Sequence, residues 1–181
     1  ILYRLVGSEM CIRDSLHPVN LGKLVQGIPA PLACTPAGIQ YLLEQYDVPI
    51  RGKHVVIVGR GLTIGRPLAN LLSLKRTNAN ATVTVAHTGT EDISIHTKQA
   101  DILIAAAGSP HMIKADMVKP GSAVVAAGVS FEGKKILSDV ADEVDQVAGW
   151  LSPRIGGVGP MTRAFLMANT VQAAEKTLDI F

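Results

Sequence analysis

The residues best suited to chemistry lie in one glycine-rich segment, Gly59-Arg60-Gly61-Leu62-Thr63-Ile64-Gly65-Arg66-Pro67. It follows a short β-branched run, His54-Val55-Val56-Ile57-Val58, and precedes a segment with helical spacing. It therefore reads as the turn of a strand–turn–helix unit. In such a turn the absence of side chains lets backbone N–H groups approach a pyrophosphate, and the helix start adds the positive end of its dipole. The spacing is GxGxxxG, one residue longer than the common dinucleotide fingerprint. A glycine turn that merely closes a strand–helix unit would look the same, but its place at the first crossover of a sheet favours a nucleotide.

The end of the next strand bears on which nucleotide. A site for NAD usually places Asp or Glu there to hold the ribose 2′-hydroxyl. Here the segment reads Ala86-His87-Thr88-Gly89-Thr90, with no carboxylate before Glu91. Arg60, inside the turn, has the planar guanidinium that pairs with a 2′-phosphate by charge-assisted hydrogen bonds. NADP is thus expected over NAD, against the plain alternative of a solvated loop arginine. His17, His54, His96 and His111 have no partner at helical or metal spacing and read as structural or solvated, while His87 differs by its place at a strand's carboxyl end. Cys34 reads as a small buried residue rather than a nucleophile. Cys11 and Cys34 form no disulfide framework and no metal-ligand spacing, so no metal site is expected. Neither a GxSxG turn nor an HExxH helix is present, which excludes hydrolases of those types.

The elements that must position the turn follow in alternation. A helix is expected over 34–46, with Thr35 as its cap, Pro36 in its first turn, and Ile39, Leu42, Leu43 and Tyr46 on one stripe. Strands are expected at 54–58, 82–86, 102–107 and 122–127, with helices at 67–75 and 91–99 and a helical turn at 115–118. A last helix is expected over 161–178, with Met161, Ala164, Phe165, Ala168, Val171 and Leu178 on one stripe. This order predicts an α/β fold over 51–150, a Rossmann-like doubly wound parallel sheet. The flanking helices, 34–46 and 161–178, carry apolar stripes with no evident partner in the chain. The 181 residues are 48% hydrophobic, with 17 Lys+Arg against 15 Asp+Glu and a net charge of +2. That is room for one domain, or one and part of another, with no basic cluster for nucleic acid or an anionic membrane. Apolar runs such as 102–107 and 123–129 are too short to span a bilayer, and no secretory signal is readable, so a soluble cytoplasmic protein is expected.

One further segment is distinctive: Ser152-Pro153-Arg154-Ile155-Gly156-Gly157-Val158-Gly159-Pro160-Met161-Thr162, leading into the last helix. With Cys34-Thr35-Pro36-Ala37-Gly38 and the glycine turn, in the same order, it resembles the bifunctional methylenetetrahydrofolate dehydrogenase/methenyltetrahydrofolate cyclohydrolase family over 16–178. The resemblance implies NADP-dependent oxidation of methylenetetrahydrofolate to the methenyl form, then hydrolysis to the 10-formyl form. That is the chemistry of one-carbon metabolism and purine biosynthesis, in a homodimer. The family's cofactor contacts fall on Thr35, Gly59, Arg60, Gly61, Thr63, Thr88, Val129 and Thr162. Its folate contacts fall on Gly156, Gly157, Val158, Gly159, Pro160, Met161 and Thr162, and Asp14 stands where the family has a folate-contacting aspartate. Such a glycine-rich backbone could lie against a flat pterin and nicotinamide and set the reacting carbons at transfer distance.

The chain departs from the family pattern in several places. Gly61 stands where Ser is frequent, Ala126-Ala127-Gly128 where Asp-Val-Gly is usual, and Arg154-Ile155 where Val-Pro is usual. The Tyr-x-x-x-Lys motif, whose lysine drives the hydrolytic step in the family, is absent: the residues four after Tyr3, Tyr41 and Tyr46 are Gly7, Gln45 and Ile50. No catalytic residue is therefore expected in this chain. The N-terminal catalytic α/β domain reads as largely missing, with 1–15 a non-native leader, 16–33 a remnant of the inter-domain link and 34–181 the NADP-binding domain. Two alternatives stay open: a non-catalytic NADP-binding and dimerisation module, or another two-domain NADP dehydrogenase of the shikimate dehydrogenase kind. The latter explains the glycine turn but not the GGVGPMT segment.

Overall fold

The computed structural model describes residues 15–133 and 135–178, with side chains through Glu175. Asp14 and the segment read as a leader, up to residue 14, lie outside the described residues. In chain order the elements are α1 (Pro18–Gln26), α2 (Cys34–Gln45), β1 (His54–Val58), α3 (Gly65–Ser73), β2 (Thr82–Ala86), α4 (Ile93–Thr97), β3 (Ile102–Ala105) and β4 (Ala123–Ala126). A hairpin β5 (Val129–Glu132) and β6 (Lys135–Ser138), the short β7 (Trp150–Leu151) and the long α5 (Val158–Leu178) complete it.

Five strands form a parallel sheet in the order β2-β1-β3-β4-β7. The chain leaves β1 to one side for β2 and returns on the other side as β3, so the order reverses between β1 and β3. Apart from His54 at the start of β1, strands β1, β3 and β4 are apolar because both of their faces are covered. Val55, Ile57, Ile102, Ile104 and Val125 pack with Ile39, Leu43, Leu68 and Leu71 in one layer. The alternate residues Val56, Val58, Leu103, Ala105 and Val124 pack with Ile113, Val118 and Val144 in the other. Period-two alternation thus divides one hydrophobic run between two cores.

Several expectations need correction. Thr35 is not the cap of α2: Ala33 holds that position without a side-chain bond. The Thr35 hydroxyl instead meets Thr162 Oγ1 at 3.0 Å. Helix α5 starts at Val158, ahead of the expected Met161, because proline is tolerated in a first helical turn and Pro160 lies there. Its inner face is not the expected stripe. Ala164, Ala168 and Val171 are exposed, whereas Phe165 and Leu166 are half-buried and Asn169 is buried. The Leu178 side chain lies outside the described ones. Nor do the flanking helices lack a partner, for they pack on each other. Tyr41 of α2 meets Phe165 of α5 edge-on at 5.9 Å, and Gly38 lets Met161 approach so that an added Cβ would stand 3.0 Å from its Cβ.

The segment 16–33, expected only as a remnant of a link, contains the helix α1. His17 accepts the Val19 amide through Nδ1, Pro18 begins the helix, and Gly27 in a left-handed conformation closes it. Leu24 then joins the core. Among the described residues no helix is long and apolar enough to cross a membrane.

Candidate cofactor site

The turn after β1 is built around two close backbone approaches. Gly59 has φ +124°, and a Cβ there would fall on the Ala106 carbonyl at the exit of β3. A Cβ at Gly65 would fall on the Gly59 carbonyl and stand 2.9 Å from Arg60 Cα. These glycines bring the turn down onto the crevice between β1 and β3, the place where a doubly wound sheet binds its ligand. Gly61 differs, since nothing lies within 4 Å of a Cβ built there. The amides of Arg60, Gly61, Leu62 and Thr63 take no backbone acceptor. The first residue before α3, Ile64, offers no side-chain cap. Unengaged N–H groups beside an uncapped helix start are what a pyrophosphate needs.

Thr35, Thr63 and Thr162 come from three distant segments and meet on one cavity of about 210 Å³, shared with Leu16, Ala33, Cys34 and Leu166. Thr162 Oγ1 donates to the Val158 carbonyl at 3.0 Å, so the Thr35 hydroxyl donates in their mutual bond. A larger cleft, about 590 Å³, lies beside the amino ends of β1 and β2, lined by Glu44, Arg51, Lys75 and Arg76 among others; it holds none of the expected site residues. Thr88 is exposed in the turn after β2, and Val129 opens β5 just after β4, 46% exposed. Neither lines the threonine cavity, but both stand at carboxyl ends of strands, as Gly59 does. Gly156 and Gly157 make the turn before α5, and Val158 through Thr162 form its first turn rather than a loop, with Val158 buried and Gly159 and Pro160 exposed.

Two residues in this region escaped the sequence reading as site residues. His87 ends β2 with its Nε2 at 3.3 Å from Arg60 Nη1. Asp139 is fully buried beneath the exit of β3, where its Oδ2 accepts the amides of Ala107 at 2.7 Å and Gly108 at 2.8 Å. Ser130 Oγ donates to the Gly108 carbonyl at 2.9 Å. The loop that abuts Gly59 is therefore tied on both its donor and its acceptor side. Asp139 follows the hairpin, and no spacing in the sequence marks it.

Comparison with known proteins agrees with this fold. The family model for the tetrahydrofolate dehydrogenase/cyclohydrolase NAD(P)-binding domain matches residues 33–178. Bifunctional protein FolD of Syntrophotalea carbinolica is 56% identical over 163 residues, 90% of this chain and 56% of that protein. The FolD methylenetetrahydrofolate dehydrogenase/cyclohydrolase of Campylobacter jejuni superposes with a TM-score of 0.84 at 43% identity, covering 91% of this chain and 58% of that one. The Trypanosoma brucei enzyme, solved with NADP cofactor and an inhibitor, gives 0.83 at 35% identity, covering 92% and 59%. The chain thus spans a little over half the length of these relatives.

Proposed function

The chain belongs to the tetrahydrofolate dehydrogenase/cyclohydrolase family and carries its NAD(P)-binding domain, and from that premise we propose that it is the cofactor half of an enzyme oxidising 5,10-methylenetetrahydrofolate with NADP and hydrolysing the methenyl product to 10-formyltetrahydrofolate. The observation that carries this reading is the approach of Gly59 and Gly65 to backbone, which seats an amide-rich turn on the switch point of the sheet. Arg60 would hold the 2′-phosphate, and the Gly59–Gly61 turn with Thr63 the pyrophosphate. Thr88 would serve the adenosine end, while Val129, Thr35 and Thr162 would serve the nicotinamide end. The folate would lie against Gly156, Gly157 and the first turn of α5 through Thr162. NADP, when bound, supplies the hydride acceptor, and the protein's part is orientation. The hydrolytic step needs a tuned base, and the chain carries no Tyr-x-x-x-Lys lysine for it. The purified chain is expected to bind NADP saturably and to hydrolyse methenyltetrahydrofolate no faster than buffer does. Hydrolysis above that background would show that the base had been misplaced.

Gly61 offers a gain-of-binding test. Because the site around it is open, serine fits there and adds a hydroxyl donor beside the phosphates. Gly61→Ser is expected to tighten NADP binding about two- to fivefold, the net worth of one solvent-exposed hydrogen bond, with the melting temperature unchanged. Weaker binding in a variant of normal stability would count against phosphates lying over this turn.

A homodimer is also inferred, and the β5–β6 hairpin supports it. Phe131 and Ile136 are cross-strand partners, so both project from one face, and they are 72% and 48% exposed. A two-stranded hairpin is marginal in water without a surface to pack on. Phe131→Asp is expected to shift the mass measured by light scattering from dimer to monomer. A dimer that survives the change would place the contact elsewhere.

A further inference from the structure

Arg154 stands in the loop between β7 and α5 and joins two segments that the cofactor reading sets on either side of the nicotinamide. Of residues 153–157 it alone has a polar side chain. Its Nη2 donates to the Ala141 carbonyl at 3.1 Å, and its Nη1 to the Asp142 carboxylate. Asp142 is exposed, so solvent screens the ion pair and the bond to Ala141 is the firmer of the two. Ala141 is buried, and its amide donates to the Ile113 carbonyl at 2.9 Å, which makes it a fixed point. The same stretch runs back through Asp139, under the exit of β3, to Ser138, the cross-strand partner of Val129. The loop itself runs forward into the first turn of α5 and Thr162. Arg154 thus ties the Thr162 side of the site to the Val129 side.

We propose that Arg154 is a positioning residue: by clipping the glycine loop to the segment after β6 it sets the gap between Val129 and Thr162, and with it the seat of the nicotinamide. The inference rests on the NADP reading above and adds the residue that holds the cofactor's reacting end in register. The loop has little stiffness of its own. Gly156 and Gly157 have the widest backbone freedom of any residue type. Ile155, 81% exposed, lacks the fixed φ of the proline usual in the family at that place. A side-chain anchor at position 154 supplies the missing restraint, so less conformational entropy is lost when the cofactor settles. A guanidinium suits the task because its planar fork reaches two acceptors at once. Its bonds go to Ala141 and Asp142 and not to the Gly59–Thr63 turn, so the adenosine end does not depend on them.

The test is calorimetric titration of the purified chain, its Arg154→Met variant and its Arg154→Lys variant with NADP and with 2′,5′-ADP, which keeps the adenosine phosphates but has no nicotinamide. Ser152 Oγ accepts the Ala126 amide at 2.9 Å, so the stem of the loop stays on the sheet when Arg154 is changed and the variants are expected to fold. Arg154→Met is expected to weaken NADP binding about three- to tenfold, to leave 2′,5′-ADP binding unchanged, and to move the emission of bound NADPH toward that of the free cofactor. Lysine still donates to the Ala141 carbonyl and is expected to recover much of the loss. Unchanged NADP affinity and emission in the methionine variant, an equal loss for both ligands, or no recovery with lysine would each overturn the positioning role while leaving the cofactor site intact. A folded wild-type chain that binds neither ligand would overturn the NADP reading and the clip with it.

Discussion

Gly59→Ala is expected to abolish measurable NADP binding and to lower stability by about 3 kcal/mol, a fall in melting temperature of roughly 6–12 °C for a domain of this size. Two costs combine. The backbone at φ +124° is strained for any residue with a Cβ, and the added methyl would fall on the Ala106 carbonyl. Neither side has room to yield. The Gly59 amide is bonded to the Ala86 carbonyl at 2.8 Å, and the Ala106 amide to the Val58 carbonyl at 2.8 Å, so both backbones are fixed by the sheet ladder. Relief would require the turn to lift away from the crevice, and the amides offered to a pyrophosphate would lift with it. Thermal denaturation and cofactor titration measure the two effects together. A variant that melts with the wild type and still binds would mean the turn does not depend on this contact.

Asp139→Ala is expected to cost about 2–4 kcal/mol of stability and to weaken NADP binding, since it removes two charge-assisted bonds from a buried carboxylate. The loop it ties down carries the Ala106 carbonyl against which Gly59 rests, so loosening the loop loosens the floor of the cofactor turn. Asp139→Asn sharpens the prediction. Both amides go to the same oxygen, Oδ2, so an asparagine carbonyl can accept both. Its amide group would then occupy the place of Oδ1, which has no hydrogen-bond partner. The asparagine variant is expected to keep most of the stability and binding. Hydrogen exchange at Ala107 and Gly108 separates the cases, with fast exchange in the alanine variant and near-native protection in the asparagine one. Equal damage from both substitutions would mean that the charge, rather than the acceptor position, holds the loop.

The inner strands β1, β3 and β4 were legible because parallel strands buried on both faces must be largely apolar runs closed by glycine or polar residues, whereas β2, at the sheet's edge, alternates Thr and Val and is only partly buried. The runs 54–58 and 82–86 coincide with β1 and β2, and those at 102–107 and 122–127 overrun β3 and β4 only at their ends. The short or exposed strands outside these runs were missed. The β5–β6 hairpin leaves Phe131 and Ile136 in solvent, and β7 is two residues long. The stripe on α5 differs for a related reason: its inner face runs from Met161, Thr162 and Phe165 to the buried Asn169, whose amide donates to the Leu32 carbonyl at 3.0 Å, so polar residues that an apolar count passes over take part in the packing. Gly156, Gly157, Gly159 and Pro160 read as a loop, which concealed the start of α5 at Val158.

The site divides in the same way. Gly59, Gly65 and Arg60 followed from local physics, because a glycine turn between strand and helix has few uses. Thr35, Thr63 and Thr162 meet across more than a hundred residues of chain, and no local pattern foretells that meeting; their assignment came through the family resemblance. His87 and Asp139 act through the geometry of turns folded around them, His87 by a backbone amide on its ring and Asp139 by two amides on one oxygen. Residue type and spacing carry no trace of such bonds.

The most direct measurement is equilibrium titration of the purified, folded chain with NADP and with NAD, following heat or NADPH fluorescence. Saturable binding at a single site, with NADP favoured about tenfold or more over NAD, is the predicted result. A folded chain that saturates with neither nucleotide, or that takes both with equal affinity, would contradict a cofactor half built around Gly59, Arg60 and the crevice between β1 and β3.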